Sequence, residues 1–164
     1  MHDKIKDDFI ITKKIGAKKM TKYKDYKQWN EARTQEVNQF VELNCIFAFG
    51  RDQLQEALKE HNLTEKEFES DFVGFIGGGA IRESKIKDYE AMCKKHFDEL
   101  QENLKDFDFA YSAFYYELAN HEYGYTHDET EALIDLGLMP KDIESNPILN
   151  KAFCKAALEL RNQD

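Results

Sequence analysis

The sequence predicts an α+β fold: a predominantly helical single domain with a small sheet of two or three short strands. Apolar residues recur at spacings of three and four over long stretches rich in lysine and glutamate, which is typical of amphipathic helices. Only two prolines interrupt the 164 residues. Two short aromatic runs, residues 45–49 and 123–125, lie between the helical stretches and have the composition of strands.

The predicted helices account for most of the chain. The first is expected to anchor on the core through Trp29, the only tryptophan. Thr64 and Glu67 have the spacing of a capping box, which predicts the start of a short helix. Pro140 and Pro147 suit the first turns of the last helices. Helices are expected at residues 23–43, 52–61, 64–70, 84–104 and 107–121, and after each of these two prolines.

The N-terminal segment differs in composition from the rest. Residues 1–19 form a predicted basic extension, and residues 20–164 form the globular domain. The extension carries most of its lysines around Gly16 and has few apolar residues. It is interpreted as a flexible tail, or alternatively as a basic arm that contacts nucleic acid or a partner.

Charge is distributed unevenly along the chain. Residues 1–27 contain nine lysines and four acidic residues, whereas residues 28–164 contain 14 basic and 28 acidic residues, a net charge of −14. Nucleic-acid binding requires Lys and Arg to neutralise phosphates, so the acidic body is not expected to bind nucleic acid directly. Its field favours a basic protein partner instead.

The cysteines indicate a reducing compartment. Cys45, Cys93 and Cys154 are odd in number, lie far apart and have apolar neighbours. This pattern predicts reduced, buried thiols in a cytoplasmic protein. The sequence has no apolar run long enough for a signal peptide or a membrane span.

Two segments of the chain resemble each other. Residues 47–70 and 123–145 align with one deletion, each running from an aromatic-small-aromatic triplet through Glu-Ala-Leu to Glu-Ser. The alignment predicts an internal repeat of strand, helix and helix.

A cluster of polar residues follows the most aromatic stretch. Glu117 and His121 are four residues apart on a predicted helix, so their side chains lie one turn apart on one face. The simplest interpretation is structural: His121 interacts with the helix C terminus, and Glu117 holds it. The alternatives are a divalent metal site and a general acid–base pair, although no recognised ligand spacing occurs. No other cofactor is expected. The candidate residues are Glu117, Asn120, His121, Glu122, His127 and Asp128.

Three consecutive glycines form a second candidate site. Gly77, Gly78 and Gly79 would expose backbone N–H groups, and Arg82 could add a positive charge, so this segment is a candidate anion-binding loop. The segment lacks the signatures of a P-loop and of a dinucleotide-binding turn. A tight turn or a close backbone crossing is the alternative interpretation.

Three segments carry a resemblance to a known family: IFAFG followed by Gln53 and Leu54, GGGAIRES, and YELANHEY. Over about residues 22–140 the chain resembles an uncharacterised family of small bacterial and phage or mobile-element proteins. That family has no established activity, so the resemblance implies no catalytic residues. It implies a mobile-element setting, in which small acidic proteins often inhibit or mimic other macromolecules.

Together these observations predict a small acidic cytoplasmic interaction protein that binds a basic macromolecular partner, for example as an inhibitor. The alternative is a small metal-dependent hydrolase or metal-binding protein that uses Glu117, His121, His127 and Asp128. The sequence carries no signal for an oligomeric state.

Overall fold

The computed structural model describes residues 23–75 and 78–162, which contain nine α-helices and three short strands. The first half of the chain holds α1 (Tyr26–Asn44), β1 (Cys45–Phe47), α2 (Arg51–Glu60), α3 (Glu65–Asp71), β2 (Phe72–Phe75), β3 (Gly79–Arg82) and, after a 3-10 turn, α4 (Ile86–Asn103). The second half holds α5 (Phe107–Asn120), α6 (Tyr123–Thr126), α7 (Thr130–Asp135), α8 (Pro140–Ser145) and α9 (Pro147–Arg161). The predicted fold class, a mostly helical single domain with a small sheet, is confirmed. The predicted extension at residues 1–19 lies outside the described residues.

The first helix begins at a side-chain cap and is anchored by two aromatic residues. Oδ1 of Asp25 accepts a hydrogen bond from the backbone N–H of Gln28 at 3.0 Å. Tyr26 and Trp29 are the buried residues of α1, and their ring centroids lie 5.7 Å apart. Both rings meet the ring of Phe109 in α5 edge-on. Trp29 therefore anchors α1 on the core, as predicted.

The core is built around α5, which packs most extensively along α9. Lys151 lies over the ring of Phe107 and Lys155 over the ring of Tyr111, so the two helices run side by side in the same direction. Small residues allow a close approach of two helices. Both helices bury alanines completely: Ala110, Ala113, Ala152 and Ala156.

Polar contacts hold α4 to α1. The indole Nε1 of Trp29 donates to the carboxylate of Glu99 at 3.1 Å. The guanidinium of Arg33 lies 3.3 Å from the same carboxylate and 3.0 Å from Glu36. The two contacts with Glu99 tie the two longest helices together at the edge of the apolar core, while the pair of Arg33 and Glu36 lies within α1.

The sheet has the strand order β1-β3-β2, and both pairings are antiparallel. The strand predicted at residues 45–49 is confirmed in Cys45–Phe47. The register places Gly79 of β3 between Phe47 of β1 and Phe75 of β2. A Cβ atom on Gly79 would lie 2.4 Å from the ring of Phe75 and 2.7 Å from the ring of Phe47. Glycine at this position therefore lets the two rings rest on the middle strand.

The prediction of a second strand at residues 123–125 is wrong. These residues form the single helical turn α6, between Glu122 and His127, which both have left-handed backbone conformations with φ of 55° and 54°. The ring of Tyr123 is buried, and its hydroxyl accepts a hydrogen bond from Arg161. The turn packs against α9, and alternating large and small residues suit one helical turn as well as a strand.

The predicted strand-helix-helix repeat is therefore wrong in its second unit. Phe47 lies in β1, whereas Tyr123 lies in α6. Two helices follow in both segments, α2 and α3 in the first and α7 and α8 in the second. The shared Glu-Ala-Leu triplet reflects a common helix preference and does not require a common origin.

The prediction of buried cysteines is correct only for Cys45. Cys93 and Cys154 are exposed, and all three thiols are free. The reason for Cys93 is that α4 buries only part of its apolar stripe, since Phe97 of the same stripe is also exposed. Among the described residues, no helix is long and apolar enough to cross a membrane.

A substitution at Gly79 tests the packing of the sheet. Gly79→Ala should lower the free energy of unfolding by about 1–2 kcal/mol, because both rings must move away from the new methyl group. Because both rings are about half-exposed, they can move, and the loss of unfolding free energy should lie near the lower end of the range for overpacked sites. Urea denaturation measures the difference. The matched control is Gly74→Ala in β2, where a Cβ atom would meet only a carbonyl oxygen at 3.9 Å. Equal stability of the two variants would contradict the role of Gly79.

Candidate functional site

A buried carboxylate, an imidazole and a second carboxylate converge at the end of α5. His121, which follows the last residue of α5, lies with Nε2 2.8 Å from Oδ2 of Asp135, the last residue of α7. The same Nε2 lies 4.0 Å from Oε2 of Glu117, so the predicted contact between Glu117 and His121 is confirmed. Within the described residues, Glu117, His121 and Asp135 each offer one atom that could bind a metal ion, and these three atoms lie within 4.8 Å of one another.

Glu117 is the buried member of this cluster, with 4% of its surface exposed. The hydroxyl of Tyr26 in α1 donates a hydrogen bond to Oε1 of Glu117 at 2.5 Å. Burial raises the pKa of Glu117, and the nearby charge of Asp135 acts in the same direction, while the hydrogen bond from Tyr26 opposes both. Burial and the hydrogen bond to Glu117 raise the pKa of Tyr26 in turn.

Local sequence explains how these side chains come together. Glu117 and His121 share one face of α5 because they are four residues apart. The chain then reverses through Glu122, whose left-handed conformation ends the helix. The buried residues Ala132 and Leu133 pack α7 into the core, and this packing places Asp135 beside His121.

The remaining residues of the predicted cluster lie in other surroundings. The side chain of Asn120 hydrogen-bonds to Glu117, which lowers the pKa of Glu117. Glu122 is exposed, and its carbonyl oxygen accepts from Thr126. His127 is exposed with its ring 6.0 Å from that of Tyr123, and Asp128 accepts from the backbone N–H of Thr130 at 2.9 Å. The structure thus gathers Glu117, Asn120 and His121, with His127 and Asp128 outside the group.

Sequence reasoning missed Tyr26 and Asp135. Tyr26 lies 91 positions before Glu117, and Asp135 lies 14 positions after His121. No spacing rule connects residues that far apart. Only a buried acid on a strongly apolar helix hinted that a donor from another element was required.

The predicted anion-binding loop stays a prediction. Gly77 lies outside the described residues. Gly78 has a φ of 81°, which fits the turn interpretation, and its carbonyl oxygen accepts from the backbone N–H of Ala48. The guanidinium of Arg82 lies 3.6 Å from Asp71 and over the ring of Phe72. Arg82 is thus already paired with a carboxylate.

A second feature is the exposed apolar patch on the sheet, formed by Phe47, Phe49, Val73 and Phe75. The rings of Phe47 and Phe75 lie 5.6 Å apart in a T-shaped arrangement above Gly79, and the ring of Phe49 borders Gly78. Phe49 is 80% exposed, and the others are nearly half-exposed. An exposed apolar patch of this kind is a candidate interaction site.

A groove of about 450 Å³ lies between helices α2 and α3 and the face of the sheet opposite Phe47, Val73 and Phe75. Its walls are mainly apolar, with Leu54 and Phe68 from the helices and Ile46 from the sheet. Glu69 lies at its edge. Glu69 therefore places one acidic side chain at the edge of an apolar groove.

The buried hydrogen bond of Tyr26 can be tested by removing one atom. Tyr26→Phe should lower the free energy of unfolding by about 1–3 kcal/mol, because it leaves a buried carboxylate oxygen without its donor. Thermal and urea denaturation at neutral pH measure the loss. The control is Tyr125→Phe, since the side chain of Tyr125 is 82% exposed and its change should cost less than about 0.5 kcal/mol. Equal losses in both variants would contradict the assignment.

The raised pKa of Glu117 predicts a pH-dependent stability difference. A carboxyl whose pKa is higher in the folded than in the unfolded protein contributes its stability below the unfolded pKa and loses it as pH rises through the folded pKa. Glu117→Gln removes the titration but keeps an oxygen that can accept from Tyr26. The stability of the variant relative to wild type should therefore increase from about pH 4 to about pH 7.5, measured by urea denaturation with a chelator present. A relative stability that falls with pH would show that the fold favours the charged form.

Comparison with known proteins agrees with the family resemblance in its general form. A profile of a family of unknown function, DUF7659, matches residues 25–159, which is most of the chain. The match brings neither an activity nor a link to phages or mobile elements. No curated protein and no solved structure shows significant similarity to the chain. The chain belongs to DUF7659, a family of unknown function.

Proposed function

We propose that the protein is a binding protein whose sheet, with helices α2 and α3, docks a basic and partly apolar segment of another protein. The observation that carries this proposal is the exposed apolar patch of Phe47, Phe49, Val73 and Phe75 on a sheet whose strands β1 and β2 adjoin the acid-rich helices α2 and α3 along the chain. An aromatic surface and acid-rich helices in one small unit suit a partner segment that combines apolar side chains with lysine or arginine.

The aromatic part of this surface is well suited to binding. The rings of Phe47 and Phe75 support each other and rest on Gly79. Rings that are already held in place lose little conformational freedom when a partner covers them. Large aromatic side chains also contribute much of the binding energy in many protein interfaces.

The acidic residues of α2 and α3 favour a basic partner. Residues 51–71, which span α2 and α3, contain seven acidic and three basic residues, a net charge of −4. Glu56, Glu65 and Glu69 are exposed on these helices. Such a field accelerates the approach of a basic partner and disfavours an acidic one. The net charge of −14 over residues 28–164 adds to the same preference.

The resemblance to mobile-element proteins extends the proposal to a biological role. A small acidic protein of this kind would inhibit a nucleic-acid-handling protein by covering its basic surface. The negative charge of the body is unfavourable for contact with nucleic acid itself. The partner we propose is therefore the protein and not its nucleic acid.

Binding to defined peptides tests the proposal. The probe is a labelled helical peptide built from lysine and leucine, and its counterpart has glutamate in place of lysine. Fluorescence anisotropy should show binding of the lysine peptide only, weakening as salt rises from about 50 to 300 mM because exposed charges are then screened. Phe49→Ser and the double variant Glu56→Lys, Glu69→Lys should each weaken binding about tenfold or more.

Two matched variants serve as controls. Leu158→Ser removes an apolar side chain that is 60% exposed on α9, and Glu90→Lys reverses an exposed charge on α4. Both should leave the affinity for the lysine peptide within about twofold of wild type. Equal weakening by the control and test variants would mean that the peptide binds the acidic body at large. Affinity that does not depend on salt would remove the electrostatic part of the proposal.

A further inference from the structure

We propose that Glu117, His121 and Asp135 bind a divalent transition-metal ion, with Zn²⁺ as the best match to their chemistry. This inference is independent of the proposed binding surface on the sheet. It rests on the positions of one imidazole nitrogen and two carboxylate oxygens at the end of α5.

The donor set selects the kind of ion. Imidazole nitrogen together with carboxylate oxygen suits zinc and its first-row neighbours, whereas magnesium and calcium prefer oxygen alone. Three protein ligands that leave one position open are the usual arrangement of catalytic zinc sites. Two carboxylates and a neutral imidazole carry a charge that one divalent cation balances.

The geometry requires only a small adjustment. Nε2 of His121 lies 2.8 Å from Oδ2 of Asp135 and 4.0 Å from Oε2 of Glu117. Ligand atoms about 2.0–2.2 Å from a tetrahedral zinc ion are about 3.4 Å apart. Both separations lie within about 0.6 Å of that value, a change that side-chain rotation supplies without moving the helices.

One nitrogen faces both carboxylates. The same Nε2 atom is directed toward Glu117 and Asp135, so a cation at this point would contact all three side chains at once. A proton on Nε2 can satisfy the pair with Asp135, but it lies too far from Glu117 for a hydrogen bond. A metal ion would satisfy both oxygens.

The surroundings orient the ligands. The hydroxyl of Tyr26 donates to Oε1 of Glu117, which leaves Oε2 directed toward His121. Hydrogen bonds of this kind to a metal-ligating carboxylate are typical of metal sites and raise their affinity. The side chain of Asp135 is 46% exposed, so an ion can enter from solvent and keep a water molecule as a further ligand.

Metal titration of the full chain tests the inference. The chain is treated with a chelator, dialysed, and titrated with Zn²⁺ in competition with a chromophoric chelator. We expect one ion per chain, and Co²⁺ at the same site should give the strong visible absorption of a four-coordinate ion. Asp135→Asn, His121→Gln and Glu117→Gln should each weaken Zn²⁺ binding tenfold or more.

The control is the double variant His127→Gln, Asp128→Asn, which removes an exposed imidazole and a carboxylate outside the cluster. It should bind Zn²⁺ as wild type does. Zn²⁺ should also raise the melting temperature of wild type and of the control, with no effect on Asp135→Asn. Asp135→Asn changes a half-exposed side chain, so its result stands if the buried variant Glu117→Gln fails to fold. Absence of stoichiometric binding, or undiminished binding by Asp135→Asn, would overturn the proposal.

Discussion

The burial of one broad face of α5 constrains the rest of the structure. Ala110 and Ala113 have no exposed surface, and Phe114 and Leu118 are fully buried. A broad apolar helix face must be covered by several other elements, while Tyr116 and Ala119 stay exposed on the opposite side of α5. The close packing of α9 along α5 and the docking of α1 on Phe109 both follow from this requirement.

The central position of α5 makes its one buried acid significant. Glu117 could not remain in the core without a partner, because a buried carboxylate that lacks hydrogen bonds is very unfavourable. Tyr26 supplies a hydrogen bond from α1, and Asp135 and His121 close the other side. The cluster therefore connects α1, α5 and α7 at one point. A buried acid of this kind lowers stability compared with an apolar residue, so its presence favours a functional explanation.

The sheet is organised by a different constraint. Its middle strand begins with a glycine so that two phenylalanine rings can lie across it, and the rings remain partly exposed. Partly exposed phenylalanine rings contribute less to stability than fully buried ones would. The packed core and the exposed patch are therefore distinct uses of aromatic residues in one chain. The acid-rich helices α2 and α3 line a groove on the opposite face of the sheet, so apolar and charged surfaces lie on the two sides of this small unit.

Some features follow from sequence alone because they depend on neighbours in the chain. Helical spacing identified α1, α4 and α5, the Thr64 capping box marked the start of α3, and the i, i+4 relation brought Glu117 next to His121. Residues 123–125 could not be assigned in this way, because three alternating residues suit a strand and a helical turn equally. The helical turn is held by tertiary contacts: Tyr123 is buried, and its hydroxyl accepts a hydrogen bond from Arg161 at the end of α9.

The same distinction between local and tertiary effects applies to the candidate site. Sequence spacing determined Glu117 and His121, while Tyr26 and Asp135 joined them only through tertiary packing, and His127 and Asp128 turned elsewhere. The glycine run was likewise evident in the sequence. Only the structure shows why position 79 requires glycine: the rings of Phe47 and Phe75, from the strands on either side, occupy the space that a side chain would need. Local hydrogen bonds and periodicity are encoded over a few residues. The partners of a buried charge and the neighbours of a glycine are set by which distant segments the core brings into contact.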